Sequence, residues 1–295
     1  MNILLLIAAF GGGVLGAAIG AVGIFAILGI VVVAGGAVGL AGGPDLFIGH
    51  LAFSAYLGPH VAFAGGVAAA AFAGNKRKTM ANGADVATPV FSANDPAALA
   101  VGGVFGVIGF LLVHLFDVVI GIPTDNVALA VFTSAMVVRL VFGSGGPFGK
   151  YTPPADNPNA KREWFPKGGA LGNCIVLGLG LGIVVSGIGL GLIEAGVPVA
   201  LVQEFFPVTV FGVAAFSLFL ALMGHGIPAT HHIVLPAALA AVLSGNMIVG
   251  AVVGVVCSLI GDIAGRAWNA HGNTFIDPPA TTIFSTTFVI LAIWG

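Results

Sequence analysis

The chain has 295 residues, of which 58% are hydrophobic and only 7% are charged, and its formal net charge is −2 at pH 7. A soluble domain carries roughly 25% charged residues, so this composition excludes an ordinary soluble protein and predicts a polytopic membrane protein. A net charge so close to zero gives no reason to expect a nucleic acid as a partner.

Ten apolar segments are predicted to span the membrane, because about 20 apolar residues are needed to cross a bilayer. In chain order they are 3–20, 22–41, 47–74, 97–121, 127–143, 169–194, 206–224, 228–245, 247–265 and 279–295. Only glycines such as Gly20 and Gly23 separate the first two segments, so a single span over 3–41 is the alternative. No basic region precedes the first segment, and a cleaved signal peptide is therefore not expected.

A weak internal repeat relates the two halves of the chain. Without a gap, residues 58–75 align with residues 229–246, which places His60 on His231. A second match aligns residues 122–126 with 276–280, where a polar, proline-containing break precedes an apolar segment in both halves. Residues 1–143 are accordingly predicted as the first membrane repeat, 144–168 as a cytoplasmic linker and 169–295 as the second repeat.

The basic residues predict the orientation of the chain. They lie mainly in two hydrophilic loops, 75–96 and 144–167, which are separated by two predicted spans and therefore lie on one side. The positive-inside rule makes that side cytoplasmic and places both termini outside. Five spans per half is an odd number, so the second repeat is expected to be inverted relative to the first, an arrangement that also places Arg266 in the cytoplasm. The expected location is a prokaryotic cytoplasmic (inner) membrane.

Two groups of polar residues are candidates for a substrate site, because polar breaks in inverted repeats meet near the membrane midplane in many transporters. The first is the histidines that begin the repeated segments, and the second is the polar breaks before the last helix of each half. The predicted substrate-binding residues are His60, His231, His232, Asp125, Asn126, Asn273 and Asp277. The alternatives are that the histidines only join helices by hydrogen bonds and that the other residues only cap helix starts.

A third group is a candidate for ion coupling. His114, Asp117 and Asp262 are titratable groups within predicted spans, and alignment of Gly106 with Gly254 places His114 on Asp262. Buried carboxylates and histidines carry protons or sodium ions in many transporters. For Asp262 an ion pair with Arg266, four residues later, is the competing interpretation.

These features predict an all-α polytopic membrane protein with about ten transmembrane helices in two inverted five-helix repeats that contain broken or re-entrant helices. The expected function is that of a secondary transporter (permease) for a small polar or anionic solute, coupled to protons or sodium. A passive channel and an ion-translocating subunit of a larger membrane complex are the alternatives. No enzyme or cofactor motif is present, so neither catalysis nor a cofactor or metal is expected. The expected partners are the lipid bilayer and a small-molecule or ion substrate, with a homo-oligomer left open.

Overall fold

A computed structural model describes residues 2–295, and these residues form an all-helical fold without β-strands. Ten α-helices follow one another along the chain: α1 Ile3–Ile19, α2 Ala21–Leu40, α3 Ala64–Phe72, α4 Pro96–Val113, α5 Asn126–Phe142, α6 Gly169–Glu194, α7 Val199–Leu222, α8 His231–Ser244, α9 Met247–Trp268 and α10 Pro278–Trp294. The ten helices fall on the ten apolar segments of the sequence.

Three π-helical segments lengthen two of these helices. Pro59–Phe63 and Ala73–Arg77 extend α3 at its two ends, and His114–Ile120 extends α4. By length and composition, five helices are able to cross a membrane: Ala21–Leu40, Pro96–Ile120, Gly169–Glu194, Val199–Leu222 and Met247–Trp268. Several long apolar helices of this kind are compatible with a membrane protein.

Local sequence explains where several helices begin. Between α1 and α2, Gly20 has φ of 92°, a conformation that ends one helix and allows the next to start at once. Asp95 precedes α4 and accepts hydrogen bonds from the N–H groups of Ala97 and Ala98. Such side chains satisfy amides at a helix start that have no partner within the helix.

The structure departs from the predicted segments at two places. Residues 47–74 do not form one helix, because a separate π-helical turn, Ile48–Ala52, is followed by non-helical residues before Pro59. Helix α7 begins at Val199 rather than at residue 206, although Gln203 and Pro207 both lie inside it. The Gln203 amide donates to the Val242 carbonyl of α8, so a polar side chain is tolerated here because another helix satisfies it.

The same pattern of packing occurs in each half of the chain. In the first half α1 packs against α3 and α4, and in the second half α6 packs against α8 and α9. The last helix of each half, α5 or α10, packs against the helix before it. Contacts of α2 with α7 and of α5 with α10 join the halves, and the largest apolar core lies there.

Polar loops from both halves meet at one end of the molecule. The Asn75 side chain donates to the Asn273 carbonyl (2.7 Å), and the Ser144 amide donates to the Asn273 side chain (2.9 Å). Arg162 donates to the Arg266 carbonyl at 3.0 Å. The two basic loops and Arg266 therefore lie at the same end of the fold.

Candidate functional site

A cavity of about 850 Å³ lies where the two halves meet. Its walls come from α2, α5, α7, α8, α9 and α10 and from residues that precede α3, α4, α5, α8 and α10. Most of the lining is apolar, and five side chains supply the polar groups: Thr88, Asp125, His231, His232 and Asp277. The volume and the small number of polar groups are typical of small-molecule sites, which range over about 300–1,000 Å³.

The two carboxylates hold equivalent positions in the two halves. Asp125 is the N-cap of α5 and accepts from the Ala128 amide at 2.8 Å, and Asp277 is the N-cap of α10 and accepts from the Ala280 amide, also at 2.8 Å. The gapless sequence match misses this equivalence by two positions, because it aligns Ile122 with Ile276 and so places Asp125 on Pro279.

The starts of α5 and α10 are also connected to each other across the halves. The Thr124 hydroxyl donates to the Phe284 carbonyl at 2.5 Å, and the Thr287 hydroxyl accepts from the Asp125 amide at 3.0 Å. Helix α5 therefore begins beside the middle of α10, which places Asp125 well inside the protein.

Both histidines of the cavity belong to the first turn of α8. His231 is 4% exposed and His232 is 8% exposed, and Nδ1 of each has no hydrogen-bond partner among residues 2–295. Thr230 precedes this helix without a side-chain cap. Buried polar atoms are nearly always hydrogen-bonded, so each of these ring nitrogens is an exception among the buried groups of the fold.

Aromatic rings form much of the remaining wall. The His231 ring lies 4.9 Å from the ring of Phe25 and 5.6 Å from that of Phe211, measured between centroids. Phe25 and Phe63 are 5.7 Å apart, and Phe63 also contacts Phe275 at 6.4 Å. The rings thus connect α2, α3, α7 and α8 around the polar groups.

At one end the cavity extends to the loops. Ala87, Thr88 and Pro89 of the loop 75–96 line it, as do Ile227 and Ala229 between α7 and α8. The Val22 amide donates to the Val86 carbonyl at 3.0 Å, which fixes this part of the loop on α2.

Four of the seven predicted substrate-binding residues line the cavity, namely Asp125, Asp277, His231 and His232. The other three lie outside its wall. His60 is 1% exposed and stacks on Phe110, although its neighbour Pro59 lines the cavity. The Asn126 side chain donates to Asp117 and to the Ile122 carbonyl. Asn273 lies among the polar loops, where its carbonyl accepts a hydrogen bond from the Asn75 side chain.

The three predicted ion-coupling residues do not line the cavity. Asp117 is exposed on the π-helical extension of α4, and His114 lies on the same extension. Asp262 accepts a hydrogen bond from the Arg266 side chain, and Glu163 lies 3.6 Å from the same guanidinium. The geometry at Asp262 thus agrees with the ion-pair interpretation.

Sequence reasoning missed the aromatic wall and one buried cation. The phenylalanines carry no distinguishing signal, because the chain contains 22 of them in apolar segments. Arg139 lies in the last turn of α5, where it is 1% exposed and donates to Thr274 and to the Pro147 carbonyl. In the sequence, the only hints were the position of Arg139 near the end of an apolar segment and the polar break that contains Thr274.

Comparison with known proteins gives one match. The model of a family of unknown function, DUF7973, matches residues 1–146 and 160–295, so that the unmatched residues all lie in the linker between the halves. None of the curated proteins and none of the solved structures matches the chain. Because the matched residues cover far more than half of the sequence, the chain belongs to the family DUF7973.

Proposed function

We propose that this protein is a secondary transporter that binds a small solute in the cavity between its two halves and is driven by a proton or sodium gradient. The observation that carries the proposal is the pair of capping carboxylates, Asp125 and Asp277, which begin equivalent helices and line one cavity. Solute sites formed at helix breaks between related halves are characteristic of such transporters.

We further propose that the halves are inverted repeats of five spans each. The matched packing of α1 on α4 and of α6 on α9 supports this arrangement, as do the contacts of α2 with α7 and of α5 with α10. Contacts between equivalent helices are expected where a pseudo-twofold axis passes between them. Rocking of the halves about that axis would expose the cavity first on one side and then on the other.

Purified protein in liposomes provides the direct test. We expect accumulation of at least one member of a panel of small cations, anions, amino acids and sugars, at a rate above that of empty liposomes. An imposed proton or sodium gradient should drive accumulation above the outside concentration, whereas a passive channel would only equilibrate the solute.

Chemical modification of a cysteine placed in the cavity wall tests whether the solute passes through the cavity. Val127 lines the cavity beside Asp125, so a bulky thiol reagent on Val127→Cys should stop uptake in protein that is already folded. Val118→Cys is the control, because Val118 is 66% exposed on the outer surface. Cys174 and Cys257 are both free and would be replaced by alanine in both variants. Uptake that survives complete modification at Val127 would contradict the proposed site.

A further inference from the structure

The charges around the cavity do not balance. Asp125 and Asp277 are the only charged residues that line it, and no lysine or arginine among residues 2–295 does so. The starts of α5, α8 and α10 oppose these charges, and each helix start is equivalent to about +0.5 charge. With both carboxylates ionised, two negative charges against about +1.5 leave the empty cavity negative, and a solute of positive charge fits it better than an anion.

Each carboxylate is also partly uncommitted. Asp277 uses one oxygen to cap α10, and its other oxygen accepts no hydrogen bond from residues 2–295. A ligand that brings its own positive charge or donor groups would satisfy that free oxygen.

The rest of the wall suits an apolar body attached to that charge. Five phenylalanines line the cavity: Phe25, Phe53, Phe63, Phe211 and Phe275. The faces of aromatic rings attract cations, and ammonium groups carrying alkyl substituents are recognised by several rings together. A strongly hydrated inorganic ion would lose its water here without gaining enough oxygen ligands in return.

We infer that the solute is a monovalent organic cation, an ammonium group joined to a small apolar body, held by Asp125 and Asp277 among the phenylalanines. The inference rests on the proposed use of the cavity as the solute site. It replaces the anionic part of the expected small polar or anionic solute, because among residues 2–295 the only charged groups in the wall are negative.

Two probes with the same apolar body and opposite permanent charges test the class of solute. Benzyltrimethylammonium and phenylmethanesulfonate are compared by calorimetric titration of the purified full-length protein, without any transport step. We expect the cation to bind at least about tenfold more tightly than the anion, a ratio that corresponds to about 1.4 kcal/mol. Equal binding, preferential binding of the anion, or binding of neither probe would overturn the inference.

Variants assign the binding to the cavity. Asp125→Asn and Asp277→Asn remove a charge but keep a helix cap, since asparagine caps helices about as well as aspartate. Each should weaken binding of the cation about tenfold or more, because hydrogen bonds and ion pairs to a buried charged group are strong. Asp45→Asn is the matched control, because Asp45 caps the turn at Ile48 and Gly49, is exposed and does not line the cavity.

The same probes separate failure of this inference from failure of the proposed function. If phenylmethanesulfonate binds and enters liposomes while the cation does not bind, the inference is wrong and the transporter proposal stands. If the cation binds with the expected dependence on Asp125 and Asp277 but crosses no membrane, the inference stands and the transporter proposal fails.

Discussion

At Arg139 a guanidinium is almost completely buried without a carboxylate partner among the described residues. Its hydrogen bonds go instead to Thr274 and to the Pro147 carbonyl, and they join the end of α5 to the loop that leads to Asp277. Burial of a charge is tolerated only where its donors are satisfied. These hydrogen bonds hold Thr274, in the loop just before Asp277, against the end of α5.

We expect Arg139→Ala to destabilise the protein by on the order of 3 kcal/mol, because it removes several charged hydrogen bonds and leaves buried oxygens without donors. Thermal melting in detergent measures the loss. Lys161→Ala is the control, since Lys161 is exposed and its removal should change stability by less than about 0.5 kcal/mol. An Arg139→Ala protein that melts with the wild type would contradict this role.

Acid should weaken the start of α4 through Asp95. The hydrogen bond from the Arg77 side chain lowers the pKa of the Asp95 carboxyl, and the amides of Ala98 and Ala97 lower it further. A pKa that is lower in the folded state means that this stabilisation is present above the unfolded value of about 3.9 and is lost as the pH falls through the folded pKa. Melting temperatures measured from about pH 5 to pH 3 should fall more steeply for the wild type than for Asp95→Asn. Melting temperatures that fall equally for the two proteins would contradict this role of Asp95.

Asp262 belongs with Arg266 and not with the cavity. Both side chains are about one-quarter exposed, so we expect Asp262→Asn to cost only about 0.5 kcal/mol. Gradient-driven uptake should persist in this variant, and the double change Asp262→Asn with Arg266→Gln should cost little more than the single change. A stable Asp262→Asn protein that takes up solute independently of any gradient would instead make Asp262 the coupling residue.

At the scale of elements, most of the secondary structure was predictable from the lengths of the apolar runs and from the charged, glycine and proline residues that divide them. All ten helices were anticipated, and the uncertain division near Gly20 is real because that residue has positive φ. The π-helical turns were not anticipated, since they depend on tertiary contacts and leave no composition signal. The start of α7 was misplaced because Gln203 finds its partner in another helix.

The candidate site was only partly predictable, because contacts between helices decide which side chains reach the cavity. Asp125 and Asp277 carry a local signal, because a polar residue before a helix is a recognisable cap. His60 and His231 look equivalent in sequence, yet only His231 lines the cavity, whereas the ring of His60 stacks on Phe110 of α4. Which phenylalanines face the cavity depends on the whole arrangement of helices.

Helix α4 packs closely against Pro59–Phe63, the π-helical residues that precede α3, and this contact gives a prediction at the scale of elements. A Cβ at Gly109 would overlap the carbonyl oxygen of His60. Gly109→Ala should therefore cost about 1–3 kcal/mol through a forced backbone shift. Gly180→Ala is the matched control within a helix, because no atom lies within 4 Å of a Cβ at Gly180 and alanine is the better helix former. Equal melting temperatures for the two variants would show that the contact is not restrictive.

At the scale of the whole molecule, the polar loops of both halves meet at one end of the fold. This supports the prediction that the basic residues lie on one side of the membrane. Cysteines at Ala93 and Asn157 should therefore react with an impermeant thiol reagent only from the cytoplasmic face, and a cysteine at Gly295 only from outside. Gly295 and Asn157 reacting from the same face would contradict the inverted repeats.

Alternating access is the central claim, and one measurement tests it most directly. In protein without Cys174 and Cys257, a cysteine at Val127 is exposed to an impermeant thiol reagent from each side of sealed liposomes in turn. The account predicts labelling from both sides, and protection from both sides by a bound solute, because one cavity faces each side alternately. Labelling from only one side under every gradient, or from neither, would contradict it.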